Sequence, residues 1–553
     1  MFGAGGGTSS YQEAEDTDLV ILWGSNAREA HPIFFHHVLK GVRRGAKLYA
    51  VDPRRTTSAQ WADVWLGIDV GSDISLANAI GREIIHAGLV NEEFVRRATT
   101  GFDAYAAAVE PCTLARAEHD TGVPAEVIRT LAHDYARADR AQLCWTLGIT
   151  EHHNATDNVL ALINLSLLTG HVGRWGSGLV PLRGQNNVQG GGDMGAIPNK
   201  LTGFQDIADT AARERFGAAY GVTIPARPGW HLSLMFEAME RGELTACYIV
   251  GENPLRSEAD TERTRRLLGG LEHLVVQDIF LTDTAQAADV VLPATATWCE
   301  AEGTVTSSER RVQRVRKALE PPPGARDDIE IICEIARRMG TDWGTVTAED
   351  AWNELRTLSP MHAGMSYRRL AELGGIQWPC PSEDHPGSPF LHGRLWAEDA
   401  ASRGTPAPFS PVEFEPPVDA LDDDYPIRLT TGRRLDSFNT GVQTGGYTTP
   451  MRRPETLNLS PEDVARLGVA EGERVLVSSR RAGIQAPVHV DSELRPGLAF
   501  MTLHFPEQAE VNRLTLDAWD PKSGTAEFKA TAIRVDKLPA PAAAGDEQAE
   551  VTA

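Results

Sequence analysis

Two pairs of residues have the types and spacing to hold nucleotides. The run LVILWGSN at residues 19–26 places Gly24 at the end of a short apolar strand, and KLYAVDPR at 47–54 ends a second strand in Asp52. Far downstream, ACYIVGENP at 246–254 and HLVVQDIF at 273–280 repeat the arrangement with Gly251 and Asp278. A glycine at a strand end lets a phosphate approach the backbone, and an acid at the end of the next strand accepts hydrogen bonds from a ribose or base. Open α/β sheets bind ligands at these C-terminal strand ends. Gly24 and Asp52 lie 28 residues apart, Gly251 and Asp278 27. Asp63 and Asp289 each follow 11 residues later, in ADVWL and ADVVLP, and the polar stretches TTSA and TDTA fill the two gaps. Neither copy carries GxGxxG, so an ordinary nicotinamide dinucleotide site is not supported. The repeat fits two nucleotide-bearing ligands, or one ligand with two nucleotide ends. On pattern alone, a duplicated α/β scaffold whose acids only cap turns is the alternative.

Such sites need a large scaffold, and 553 residues supply two to four domains. With 42% hydrophobic and 23% charged residues, the composition is that of a globular protein. No apolar run is long enough to span a bilayer, and the first residues lack the basic and apolar regions of a secretory signal, so a cytoplasmic location is expected. A net charge of −23 would be repelled by a phosphate backbone, which argues against a nucleic-acid partner. The six cysteines, Cys112, Cys144, Cys247, Cys299, Cys333 and Cys380, show no metal-ligand spacing and read as isolated buried thiols. The pairs His36-His37 and His152-His153 also lack ligand spacing and read as surface or packing residues.

Between the two copies, residues 156–168 have a helical pattern, with Thr156 as N-cap and Gly170 as C-cap. The glycine-dense stretch 167–196 follows. Its embedded Trp175, Leu179, Val180 and Leu182 argue for backbone wrapped closely around something rather than a solvated linker. Residues 330–339 read as helix, and the proline-rich stretches 381–389 and 404–417 with the acidic run 422–424 mark a boundary. From Pro426 the texture becomes β. Residues 473–491 alternate around a turn near Ala482-Gly483, and 460–468 form a short capped helix, so this end reads as a small barrel. The tail from Leu538 has the composition of a disordered segment.

At these residues the chain resembles the molybdopterin oxidoreductases of the dimethyl sulfoxide reductase superfamily, and within them the formate dehydrogenase catalytic subunits. The most specific element is PLRGQNNVQGGGDMGAIPN at 181–199, followed by GFQDI; GENP, QDIF, ADVVLP with the later EGT, LTTGRR, HFPEQAEVN and DPKSGTAEFK also fit. The resemblance implies an α/β protein with two Rossmann-like domains around a cofactor cleft and a C-terminal β-barrel of double-psi type. The expected divisions are 1–185 and 186–325 for the two Rossmann-like domains, 326–423 for a helical and linker region, 424–537 for the barrel and 538–553 for the tail. The implied cofactor is bis-molybdopterin guanine dinucleotide with molybdenum or tungsten, whose paired nucleotides account for the repeat. Carried over by motif, the first tail should meet Gly24, Asn26, Glu29, Asp52, Pro53, Arg54, Gly71, Ser72 and Asp73, with Gly148 nearer the pterin. The second should meet Gly251, Asn253, Ser257, Gln277 and Asp278, and the barrel should close with Arg433, Ser437, Asn512, Phe528 and Lys529. Arg183 is the expected catalytic residue, because its guanidinium fork matches the carboxylate of formate, with Gln185 adding a hydrogen bond near the metal. The implied reaction takes formate to carbon dioxide, with electrons leaving to iron–sulfur or NAD-linked subunits.

The chain departs from the family at its start. There the resemblance expects a four-cysteine site for a 4Fe–4S cluster and then a cysteine or selenocysteine that ligates the metal. MFGAG corresponds to the segment just after that ligand, and no cysteine stands in a matching place. A start site assigned too late, an enzyme split over two polypeptides and a decayed remnant are the three explanations. A related enzyme acting on another substrate, such as nitrate, should lack the run RGQNN at 183–187; a non-catalytic cofactor carrier or assembly partner is the remaining alternative.

Overall fold

The computed structural model describes residues 2, 5–435, 437, 440 and 454–539. The tail expected to be disordered lies outside them from residue 540 on. The first half is built on five strands, β1 Leu19–Trp23, β2 Lys47–Val51, β3 Val64–Leu66, β4 Ala141–Trp145 and β5 Gly178–Pro181. They pair in parallel in the order β3-β2-β1-β4-β5, with Trp23 level with Val51 and Trp145. Strands β1 and β4 are buried along their whole length, because a parallel sheet is covered on both faces. On one face α1, Pro32–Arg43, packs Phe34, Phe35 and Val38 against Val20, Leu22 and Leu48. On the other, α2, Asp73–His86, and α3, Ala155–Thr169, cover Ile21, Trp23, Tyr49 and Val51.

Helix α3 corrects one expectation. It begins at Ala155, so Thr156 lies inside it, and Asn154 at the N-cap position makes no side-chain cap bond. The cap arrives from the barrel instead, where Asp520 Oδ2 accepts from Thr156 N at 3.2 Å and Oγ1 at 2.6 Å. Gly170 ends the helix in the left-handed conformation, as expected. The glycine-dense stretch is ordered structure, containing β5 and α4, Val188–Asp193.

The second copy is a parallel sheet of β6 Ala246–Val250, β7 His273–Asp278 and β8 Val290–Pro293, in the order β8-β7-β6. The repeat holds at the level of single hydrogen bonds. Gly24 N donates to Val51 O and Gly251 N to Gln277 O, both at 2.8 Å. Asp63 accepts from Leu48 N and Asp289 from Leu274 N, at 2.8 and 2.7 Å. Burial differs sharply between the copies. Leu274, Val276 and Ile249 join a core under the helix at Thr261–Gly269. On the opposite face Tyr248, Val275 and Val290 form a row across the three strands, with Tyr248 42% and Val290 39% exposed and Val250 beside them 47% exposed. α5, Asp328–Arg338, reaches this face through Asp328, which accepts from Gln277 Nε2 at 2.6 Å.

An antiparallel hairpin, β9 Gly303–Thr306 with β10 Arg311–Val315, is extended by β11, Ile376–Gln377. It carries a separate core of Trp352, Tyr367, Leu370 and Trp378. The chain then returns along the first half, where Phe409 and Val412 enter its core and Ser410 exchanges two hydrogen bonds with Asn164. The last strands, β12 Ile427–Gly432, β13 Leu457–Leu459, β14 Arg474–Ser478, β15 Gly483–Val490, β16 Leu498–Thr502 and β17 Thr531–Lys537, close a six-stranded barrel. Parallel pairs β12/β16 and β13/β15 mix with antiparallel ones, as the double-psi type requires. Of the six cysteines only Cys144 and Cys380 are buried; the other four are half-buried, Cys112 and Cys299 in a loop and a turn, Cys333 on a partly covered helix and Cys247 on the thinner second sheet.

Candidate functional site

Strand order reverses between β1 and β4, and a cleft opens beyond their C-terminal ends, where doubly wound sheets hold ligands. Its floor is two touching backbones. Gly148 N and Thr146 Oγ1 donate to Gly24 O at 3.2 and 2.6 Å. A Cβ on Gly24, whose φ is +57°, would stand 2.8 Å from Gly148 C, and one on Gly148 2.6 Å from Gly24 Cα. Neither position accepts a side chain. Asn26, Asp52, Pro53, Arg54, Gly71 and Asp73 line the cleft from the sheet side, and Arg433 and Lys529 from the barrel. Asp52 Oδ1 accepts from Arg54 N at 3.0 Å. Burial pushes its pKa up to about 6 against the pull of Arg54 and Lys529. Burial likewise raises Asp73, which accepts from Trp23 Nε1 at 2.8 Å. Ser72 is buried behind Gly71 and donates to Asp69 O.

A second cleft adjoins the first and shares Asn26, Arg54 and Arg433 with it. Glu29 lines it and accepts from Thr57 Oγ1 at 3.0 Å and Leu435 N at 3.3 Å. The Arg54 guanidinium lies 3.5 Å from the ring centre of Phe500 on β16. Arginines 54, 55 and 433 suit phosphate, while Glu471, Asp491 and Glu493 on the same walls offer acceptors suited to N–H groups.

Arg183 and Gln185 line a third cleft that shares Thr146, Leu147 and Gly184 with the first. The Arg183 guanidinium is held from behind. Nε donates to Gln189 Oε1 at 3.1 Å and Nη2 to Gly5 O at 3.0 Å, while no described residue bonds Nη1. Gln189 is oriented by its own donations to Gly5 O and to Asp193 Oδ1, at 3.1 and 2.9 Å, and Asp193 in turn accepts from Trp378 Nε1 at 2.7 Å. Burial lowers the Arg183 pKa, with Asp193 opposing the shift. A planar cation fixed on two sides, with one end directed to a cleft, is suited to a small carboxylate.

The second-half residues are placed differently. Gly251, Asn253, Ser257, Gln277 and Asp278 line none of these three clefts. Asn253 Oδ1 accepts from Thr284 N and Oγ1, as Asn26 does from Ser58, and Asp278 Oδ1 accepts from Phe280 N as Asp52 does from Arg54 N. Ser257 Oγ donates to Glu252. The loop after β6 meets the barrel through Asn512, whose Nδ2 donates to Arg256 O and Ser257 O at 3.0 and 3.2 Å. Asn512 Oδ1 and Ser437 Oγ are buried and find no partner among the described residues. Phe528 N donates to Glu151 O at 3.2 Å, and Lys529 Nζ reaches Thr431 O at 3.0 Å and Glu151 at 2.8 Å.

Two histidines escaped the sequence reading. His31 Nε2 donates to Arg183 O at 2.7 Å in the wall of the first cleft, burial lowers its pKa, and its buried Nδ1 has no partner among the described residues. His152, taken for a surface or packing residue, lines the same cleft and is 2% exposed, because it bonds both the cleft floor and the barrel. Neither lies at ligand spacing, and no local pattern announces a contact to residue 183 or 527.

A family model described as molybdopterin oxidoreductase matches residues 4–338, and one described as molydopterin dinucleotide binding domain matches 427–532. The chain is 38% identical over 548 residues to F420-dependent formate dehydrogenase 2 subunit alpha of Methanococcus maripaludis, spanning 97% of this chain and 79% of that protein. It is 37% identical over 542 residues to formate dehydrogenase H of Escherichia coli, spanning 97% of this chain and 75% of that one. Among solved structures, acetylene hydratase from Pelobacter acetylenicus superposes with a TM-score of 0.72 over 96% of this chain and 79% of its own, at 20% identity, a likeness of fold. The molybdopterin model alone covers more than half of the sequence, and the chain belongs to the molybdopterin oxidoreductase family.

Proposed function

We propose that this protein is a formate dehydrogenase catalytic subunit that carries bis-molybdopterin guanine dinucleotide. Its residues fit that group. The glycine floor at Gly24 and Gly148 admits close approach, Arg54, Arg55 and Arg433 line the second cleft and suit a pyrophosphate, and the buried Asn512 Oδ1 and Ser437 Oγ have no hydrogen-bond partner among the described residues. In this reading Gly24, Asn26, Glu29, Asp52, Pro53, Arg54, Gly71, Ser72 and Asp73 hold the first nucleotide, and Gly251, Asn253, Ser257, Gln277 and Asp278 the second. Arg433, Ser437, Asn512, Phe528 and Lys529 close over them from the barrel. The domain divisions at 185, 325, 423 and 537 belong to the same proposal, as do a cytoplasmic location and iron–sulfur or NAD-linked partner subunits.

When bound, the molybdenum or tungsten centre supplies a two-electron acceptor. The reaction is formate to carbon dioxide, one proton and two electrons. Arg183 orients the formate carboxylate through the Nη1 end of its fork, and Gln185 lies on the same cleft to add a hydrogen bond. The observation that carries the proposal is the Arg183 guanidinium, pinned by Gln189 and Gly5 in the wall of the third cleft. Formate-dependent dye reduction by the cofactor-loaded protein tests it. Arg183→Lys keeps the charge but not the fork, and should raise the KM for formate about tenfold or more. An unchanged KM removes Arg183 from the site, and a loaded protein indifferent to formate removes the proposal.

A further inference from the structure

His152 joins the cleft floor to the barrel. Its Nδ1 lies 3.2 Å from Glu527 Oε2 and its Nε2 3.2 Å from Gly148 O. Glu527 is 2% exposed. Its Oε1 accepts from Lys529 N and Ala530 N at 2.9 and 3.0 Å, and its Oε2 also from His153 N at 3.1 Å. A carbonyl oxygen only accepts, and so does an ionised carboxylate. Both ring nitrogens of His152 must then donate, which only the doubly protonated ring does. The other assignment, a protonated Glu527 donating to a neutral ring, needs the carboxyl to keep its proton while accepting three backbone N–H groups, and those favour the anion.

We propose that His152 is a buried imidazolium that latches the barrel loop at 518–530 onto the first half and so positions Lys529 at the cleft. It is a positioning residue. The Phe528 amide and the Lys529 ammonium both reach Glu151, one residue before the latch, and Thr431 Oγ1 donates to Phe528 O at 2.8 Å. Asp520 bonds Thr156 from the same loop. Burial opposes charge on His152, but Glu527 and Asp73 outweigh it against Lys529, and the net shift is upward. Burial would raise Glu527 too, yet His152 and His153 hold it well below the usual carboxylate range. The titratable groups around the ring are Glu527, Asp73, Lys529, Glu151 and His153, and His153 also lies 3.7 Å from Glu415.

The latch does not depend on which substrate the protein oxidises, and its test needs no turnover. In protein labelled with nitrogen-15 at histidine, both ring nitrogens of His152, assigned by their loss in His152→Gln, should carry protons at neutral pH, above the ordinary histidine value. Amide exchange in 151–156 and 518–530 should quicken about tenfold in His152→Gln and in Glu527→Gln, with the barrel strands unchanged. A singly protonated His152 ring at neutral pH overturns the proposal, and so does unchanged exchange in both segments. Should either variant fail to fold, the other assigns the ring, because Glu527→Gln shifts the same signals, and the spectrum of the unaltered protein decides the protonation.

Discussion

Asp52 shows how one buried side chain ties ligand chemistry to stability. Burial holds its pKa near 6 in the folded protein, against about 4 in an unfolded chain. Between those values the folded form keeps a proton that the unfolded form has lost. Its stabilising contribution is therefore complete below about pH 4 and lost as the pH rises through 6. Asp52→Asn should flatten the fall of unfolding free energy across this window by about 3 kcal/mol, measured by urea unfolding at several pH values; an unaltered slope would mean that Asp52 is hydrated. The acid itself was legible in the sequence, through its spacing from Gly24 and the match at Asp278. Its raised pKa was not, because that depends on burial under the barrel across the cleft, opposed by Lys529, about 480 residues away in sequence. Arg183 was legible by motif alone, and what fixes its direction, Gln189, Asp193 and Trp378, comes from three separate segments.

At the scale of elements, α3 is capped in trans. Asp520→Ala should cost about 1 kcal/mol, the usual worth of an N-cap, read from urea unfolding, and no cost would mean that Asn154 takes over. The N-cap misreading has the same root as most helix-boundary errors: a cap can come from any residue that folding delivers, and sequence shows only local ones. The two sheets make a second contrast. Trp23 and Val250 occupy the same place in the repeat, yet one is wholly buried and the other 47% exposed. Trp23→Ala should cost about 3–5 kcal/mol, as large core truncations do. Val250→Ala should change stability by about 0.5 kcal/mol or less. Equal costs in thermal or urea melts would show that the second sheet is covered in solution. The repeat announced both sheets but not this difference, since covering one face depends on helices elsewhere in the chain, and the second sheet lacks a counterpart as extensive as α2 and α3.

For the whole molecule, the β-texture after Pro426 was enough to foresee a barrel, while its closure across β12 and β17 was not, because strand partners 100 residues apart leave no local trace. The barrel touches the first half at Glu527 and Lys529 and the second half at Asn512, so one domain meets both copies of the nucleotide-type loop. That arrangement underlies the central claim, that two α/β copies and a barrel hold one metallocofactor with two guanine ends. The most direct measurement is the ratio of guanine nucleotide, released by acid hydrolysis, to molybdenum or tungsten in the purified protein. The account predicts two nucleotides for each metal atom, and a single nucleotide per metal, or a protein that retains neither, would contradict it.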